Sequence, residues 1–296
     1  MNFYLKIFIL SLIIILILII LIINYIDGFR YMRIKNYDIF ELDREYQKKY
    51  KIKNCVISLT TTPDRLKNIK TCLKSLLDSS VKVEEIRLNI PYKSCKGKEY
   101  VIPNWLKKLT SVKIHRCDKD WGPATKLLPT LIDVKSDTKI IVVDDDVIYG
   151  YYMTETINNS FKKYNINNKK VAITMYGDKI NRKNHHMKYD FYTRTNNYLT
   201  GDKYTDVLRG HAAYMVTPKM FVKDIFNYEK HPKECFFVDD NYFSHHLKKN
   251  KVRIVMTGLS YKAVPLPDMI NCHIGALHQE HNGNGKNEVI VNKHFR

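Results

Sequence analysis

Lys139-Ile140-Ile141-Val142-Val143-Asp144-Asp145-Asp146 is the stretch on which the fold turns, because four apolar residues in a row run straight into three carboxylates. A strand without polar alternation has both faces covered, as a central strand of a parallel sheet does. Its carboxylates then emerge at the carboxyl end, where open α/β sheets place their ligands. Three adjacent carboxylates repel one another, and half-burying them is costly unless a cation neutralises them. Hard oxygen donors suit Mg²⁺ or Mn²⁺. Asp144 and Asp146 are the expected metal ligands, since alternate residues of an extended segment point the same way, with Asp145 between them. Taken alone, the triplet also fits a solvated acidic turn at a strand end.

Working outward, short β-rich runs alternate with amphipathic segments. Cys55-Val56-Ile57-Ser58-Leu59 reads as a strand, and Pro63 opens a helix with Leu66, Ile69, Leu73, Leu76 and Leu77 on one face. Ile86 to Ile90 and Val112 to His115 read as strands, while Ala124, Leu127, Leu128, Leu131 and Ile132 mark a helix. After the triplet come a helix from Thr154 to Tyr164, a strand from Val171 to Met175, and a strand from Ala212 to Val216. Helices are expected at Pro218 to Tyr228 and Phe237 to Lys249, and the tail after Val255 has no clear period. The polar stretch from Asp178 to Asp206 is long for a compact domain and reads as a functional loop or lid. The alternation predicts an α/β fold with a mostly parallel sheet.

From Ile7 to Ile23 every residue but Ser11 is apolar, about the ~20 residues a bilayer-spanning helix needs. No small-residue cleavage site follows, so residues 1–26 read as an uncleaved anchor of a single-pass membrane protein. Residues 27–53 are polar and read as a stem, and 54–296 read as one folded domain. Lys6 lies on one side of the anchor and Arg30, Arg33 and Lys35 on the other, so charge alone favours a cytoplasmic body. The chain of 296 residues carries 49 Lys and Arg against 30 Asp and Glu, a net charge of +19 that attracts polyanions at long range. The basic residues are scattered and no nucleic-acid-binding pattern is present, so no specific nucleic acid is expected. Six cysteines show no C-x-x-C pair or zinc spacing, and Cys55 and Cys72 fall on apolar faces.

Other residues carry chemical signals. Asp239 and Asp240 begin a helical segment, where one supplies a general base tuned by its neighbour, or both simply cap the helix. Lys126 follows a Gly122-Pro123 turn and would point a cation from the first turn of a helix at a phosphate. Arg209-Gly210-His211 precedes an apolar strand and reads as a candidate lining of the site. His273, His278 and His281 lie in the tail, and Asn282-Gly283-Asn284-Gly285-Lys286 reads as a flexible turn.

The order of these motifs resembles the GT-A family of nucleotide-sugar glycosyltransferases, especially its family-2-like members. Val56-Ile57-Ser58-Leu59-Thr60-Thr61-Thr62-Pro63-x-Arg65, with Cys72-Leu73-x-Ser75-Leu76-Leu77 after it, is similar to that family's opening strand, nucleotide loop and first helix. Trp121-Gly122-Pro123-Ala124-Thr125-Lys126 sits about two dozen residues before the triplet, where the family carries a donor-side helix. The triplet matches the D-x-D metal motif, and Asp239-Asp240-x-x-x-Ser244-x-x-Leu247 is similar to the late acidic pair. That pair usually reads Glu-Asp, with an Arg before the final Leu; here Asp239 and His246 stand at those places.

The resemblance, which covers Cys55 to Leu247, implies a GT-A (Rossmann-like) mixed, mostly parallel sheet flanked by helices, behind an N-terminal transmembrane helix. It implies a hexosyltransferase-like enzyme moving a sugar from a nucleotide-sugar donor to a hydroxyl of a glycan, protein or lipid acceptor. Thr61, Pro63, Arg65, Gly122 and Lys126 would shape the donor site with Asp144 and Asp145; Asp144 and Asp146 would hold Mn²⁺ or Mg²⁺. Asp240, beside Asp239, would be the base of an inverting transfer. The class favours a lumenal, Golgi-like body in a eukaryote or in a virus of one. Two other readings stay open: a membrane-tethered polyanion-binding protein with an inactive fold, and a nucleotide-sugar hydrolase or nucleotidyltransferase.

Overall fold

The computed structural model describes residues 3–167, 169–188, 201–257, 264–265 and 285–295, with the side chains of 3, 6–7, 16–17, 19–28, 188, 229 and 264–265 outside the description. Eight strands form one sheet: β1 (Cys55–Thr60), β2 (Glu85–Pro91), β3 (Val112–Cys117), β4 (Lys139–Val142), β5 (Val171–Thr174), β6 (Lys203–Thr205), β7 (Tyr214–Val216) and β8 (Arg253–Met256). Their order is β3-β2-β1-β4-β7-β5-β8-β6. β3, β2, β1 and β4 pair parallel, as do β5 and β8. β7 runs antiparallel between β4 and β5, and β6 antiparallel to β8. The fold is α/β, with a mixed, mostly parallel sheet flanked by helices, as the alternation of apolar runs predicts.

The helices are α1 (Phe3–Asn36), α2 (Ile39–Lys48), α3 (Lys70–Leu77), α4 (Asn104–Lys107), α5 (Leu128–Asp133), α6 (Met153–Tyr164), α7 (Asp239–Lys249) and α8 (Lys286–His294). They build two cores, one on each face of the sheet. Ile57, Leu59, Ile141 and Val143 join a core with Leu73 and Leu76 of α3, Leu42 and Tyr46 of α2, and Ile157 of α6. Val56, Ile140 and Val142 face the other way, onto Leu128 of α5, Tyr242, Phe243 and Leu247 of α7, and Val291 of α8. Successive strand residues alternate in direction, so a strand apolar at every position requires both cores.

Several elements differ from the sequence reading. The helix expected over Ala124 to Ile132 is a 3-10 turn (Gly122–Lys126) followed by α5, and Ile132 is exposed. Pro218 to Tyr228 forms separate 3-10 turns, Pro218–Met220, Lys223–Phe226 and Tyr228–Lys230. Its apolar residues sit at helical spacing, but the chain curls back repeatedly to bury Met220 and Ile225. The tail contains α8, whose Val291, Asn292 and Glu288 are buried; Gly285 precedes it at a φ of 76°. Within 178–206 lie short strands at Gly177–Ile180 and Met187–Lys188, the latter followed by residues outside the description.

The segment read as a stem is helical. α2 is capped by the Asp38 carboxylate, which accepts from Phe40 and Glu41 backbone N–H groups. It buries Ile39, Leu42 and Tyr46, and the Tyr46 hydroxyl accepts from Val83 N–H at 2.9 Å. The end of α1 is tied down as well: Arg30 pairs with Asp78 at 2.9 Å and donates to the Tyr149 carbonyl at 2.8 Å, and Arg33 also meets Asp78. Counting only the described residues, no helix is long and apolar enough to cross a membrane. The run from Ile7 to Ile23 lies within α1, and part of it falls on side chains outside the description.

Docking of α2 predicts unequal costs for two substitutions. Tyr46→Ala, which empties a buried ring site, should destabilise by ~3–5 kcal/mol, and Asp38→Ala, which removes a cap, by about 1 kcal/mol. Urea unfolding measures both; equal, small effects would mean that α2 is not part of the folded body.

Candidate functional site

β1 and β4 lie side by side in register, so the loops after their carboxyl ends meet. Thr61 follows β1, and its hydroxyl donates to Asp145 Oδ2 at 2.5 Å. Arg65, a few residues on, places one guanidinium nitrogen 2.9 Å from Asp145 Oδ1 and 2.6 Å from Asp146 Oδ2. Pro63 is half-buried in the turn between them. Asp144 turns elsewhere, to Lys126 Nζ at 2.8 Å. The expectation that Asp144 and Asp146 point the same way therefore does not describe this segment. β4 ends at Val142 and the chain bends at Asp145 and Asp146, which breaks strand alternation.

Lys126 is the centre of the cluster. It is 5% exposed, at the end of the 3-10 turn, and its ammonium also lies 2.9 Å from Asp239 Oδ2 and 3.7 Å from Asp240 Oδ1. The Asp239 oxygen, though close, is not aligned to accept a hydrogen bond. The turn is fixed from below by Ser58 of β1, which donates to the Lys126 carbonyl at 2.6 Å and shares a buried network with Thr130 and Asn89. Gly122 starts the turn at a φ of 60°, and a Cβ there would lie 2.5 Å from the Phe236 ring. Its part is to set the path of the turn, away from the carboxylates.

Antiparallel β7 brings its starting loop to the same edge, because Tyr214 pairs with Val142 and Thr174 at the ends of β4 and β5. Arg209 is held by Asp178 at 2.6 Å and Glu288 of α8 at 3.0 Å, so its side chain turns into the body instead of lining an open face. Gly210 N–H donates to Asp240 Oδ2 at 3.0 Å. A Cβ on Gly210 would lie 2.6 Å from Lys126 Nζ and 3.1 Å from Asp144 Oδ1, so a side chain there would push the Lys126 ammonium from its place among the carboxylates. Tyr214 is fully buried beside the cluster, with a hydroxyl that has no hydrogen-bond partner among the described residues. Sequence reading missed Tyr214, and the only available signal was its place at the head of an apolar strand. His273, His278 and His281 lie outside the described residues.

Five carboxylates thus surround two cations. Burial raises the carboxyl of Asp145 to about 6 against the pull of Arg65, with Asp146 adding to the rise. Burial likewise raises Asp239 to about 6 against Lys126, helped by Asp240 and Asp144. Burial also works on Asp144, but Lys126, His211 and Arg65 outweigh it and hold that carboxyl below its usual range. Lys126 is desolvated too, yet Asp144, Asp239 and Asp240 keep it charged.

Asp144 and Asp146 carry hard oxygen donors of the kind a divalent cation takes, but they turn to different cations, and among the described residues the triplet does not bring three ligand atoms together. Asp144 meets Lys126 through Oδ1 and Asp146 meets Arg65 through Oδ2, which leaves each an oxygen without a protein partner among the described residues. Their side chains are the more open ones, 28% and 44% exposed against 6% for Asp145. In comparisons with known proteins, no family model matches the chain and no curated protein matches it.

The raised carboxyls set a sign for pH dependence. Asp145 and Asp239 hold protons in the folded chain up to about 6, whereas unfolded aspartates release them near ~4. The folded state therefore binds more protons between these values, and stability falls as pH rises through that window. Buried His246, held down to about 4, contributes with the opposite sign in the same window, so thermal unfolding in chelator from pH 4 to 7 reads the aspartates as a difference: Asp145→Asn or Asp239→Asn should lose stability relative to wild type toward pH 4 and less toward pH 7. A wild-type-minus-variant difference that does not change with pH would contradict the assignment.

Proposed function

We propose that this chain is a membrane-anchored glycosyltransferase of the GT-A type, which uses a divalent metal to bind a nucleotide-sugar. The observation that carries the reading is the convergence of five carboxylates on two cations at the carboxyl ends of β1 and β4. That excess of negative charge at a sheet edge asks for a further cation. Asp144 and Asp146 would hold Mn²⁺ or Mg²⁺. When bound, the metal neutralises the donor diphosphate and the charge that develops on the leaving group.

The chain's own residues supply the rest. Gly210 N–H fixes one oxygen of Asp240, and the other, Oδ1, is buried 3.7 Å from Lys126 Nζ with no hydrogen-bond partner among the described residues, so the acceptor hydroxyl would have to displace what covers it. An oriented carboxylate of this kind takes the proton of an acceptor hydroxyl as its oxygen bonds to the anomeric carbon; the bond to the diphosphate breaks with its electron pair on the leaving group. Attack opposite the leaving group inverts the configuration. Lys126 holds Asp144 and Asp239 in place around this reaction, and Thr61 and Arg65 hold Asp145. α1 belongs to the same reading: 34 helical residues extend about 51 Å, and Phe8, Leu10, Ile13 and Leu18 are exposed along it.

One observation favours a second reading, an inactive fold that binds polyanions from a membrane tether: each triplet aspartate already has a cationic partner. The two separate on activity. A panel of nucleotide-sugars should show transfer with Mn²⁺ that chelator abolishes. Asp146→Ala and Gly210→Ala should abolish or cripple it in a folded chain, and Asp240→Asn should lower kcat by roughly 10²–10⁴-fold. Equal turnover in chelator removes the metal; no turnover, with salt-sensitive glycan binding that ignores Asp146→Ala, selects the second reading.

The anchor is tested by fractionation. The full chain should stay with membranes at alkaline pH, and a chain lacking residues 1–26 should not; extraction of both would exclude a span.

A further inference from the structure

The opposite end of α7 carries a second cluster, of different chemistry. His246 lies seven residues beyond Asp239, roughly two turns along the helix. It is fully buried, and neither ring nitrogen has a hydrogen-bond partner among the described residues. His231 packs edge-on against it at 5.5 Å between ring centroids, and His231 Nε2 is also buried without a hydrogen bond. Asp224 completes the group, its Oδ2 3.8 Å from His231 Nε2. Asp224, His231 and His246 each offer a ligand atom, all within 4.8 Å of one another.

A buried polar atom left unpaired costs ~1–3 kcal/mol, and here three imidazole nitrogens share that state beside a carboxylate. One cation would take a single nitrogen from each ring beside Asp224, which relieves two of the three and leaves the second His246 nitrogen without a hydrogen-bond partner among the described residues. Metal-bound imidazoles usually pass their second N–H to an outer acceptor, which fixes the tautomer. His231 has that arrangement: Nδ1 lies 3.1 Å from His294 Nε2 on α8, and Nε2 faces Asp224. Lys249 pairs with Asp224 Oδ2 at 2.6 Å, but it is 55% exposed and Asp224 has a second oxygen. Two imidazoles and one carboxylate form a donor set for zinc, unlike the all-oxygen cluster at the other end of α7.

We propose that Asp224, His231 and His246 bind Zn²⁺, with His294 as the outer partner of His231 and a water or further side chain in the fourth position. The ion would tie the turn Lys223–Phe226 and residue 231 to the carboxyl end of α7, the helix whose amino end supplies Asp239 and Asp240. The proposal does not depend on sugar transfer.

The test is metal content and Zn²⁺ affinity of the full chain, stripped with chelator and titrated against a chromophoric competitor, with Co²⁺ as a spectroscopic substitute. The wild type should take up about one Zn²⁺ and give the visible spectrum of four-coordinate Co²⁺. His246→Ala and His231→Ala should lose both, and His294→Ala should weaken binding by ~10- to 100-fold. Asp224→Asn changes a part-exposed carboxylate without emptying a core site, so it decides the matter if a histidine variant fails to fold; it should weaken Zn²⁺ binding at least tenfold. No zinc uptake by the wild type, or uptake unchanged in Asp224→Asn, overturns the site.

Discussion

A buried ammonium group organises the sheet edge at which the carboxylates gather. Lys126 Nζ touches Asp144 after β4, Asp239 and Asp240 at the start of α7, and the space that a side chain on residue 210 would fill. These groups come from three separate parts of the chain, and none would tolerate burial alone. A lysine removed from water loses several kcal/mol of hydration unless carboxylates replace it, and the carboxylates face the same penalty. Each therefore depends on the others being in place. Ser58 and Thr130 hold the turn that carries Lys126, and Arg209 holds the loop that carries Gly210. The sheet supplies the rigid frame, since β1, β4 and β7 are neighbours in it.

The cluster's excess of negative charge also sets where protons are held there. Asp145 and Asp239 bear the burial penalty as raised carboxyls, whereas Asp144, closest to Lys126, does not. A cation that enters beside Asp144 and Asp146 would compete with protons on this set and with Arg65 for Asp146. Order at this edge is thus a balance among protein cations, protons and any ligand charge.

α7 links this edge to the rest of the body. Its amino end carries the two aspartates and its carboxyl end the buried histidines, while Tyr242, Phe243 and Leu247 between them fill the core under the sheet. α8 packs across it: Asn292 accepts hydrogen bonds from Asn241 and from His245, and Glu288 pairs with Arg209.

The sequence by itself determined the α/β alternation, the central place of the strand Lys139 to Val143, and the positions of the aspartates at the edge of the sheet. Those readings rest on local rules: an unbroken apolar run has two buried faces, and the residue after a strand leaves the sheet at its end. Only the tertiary structure decided that Asp144 and Asp146 part company, that Lys126 faces carboxylates, and that Tyr214 and Gly210 reach the same edge. It also decided that α2 docks, that Pro218 to Tyr228 curls into 3-10 turns, and that α8 covers α7. These outcomes depend on residues far apart in the chain, joined by the antiparallel insertion of β7 and by burial, and no local period encodes a partner that arrives from elsewhere.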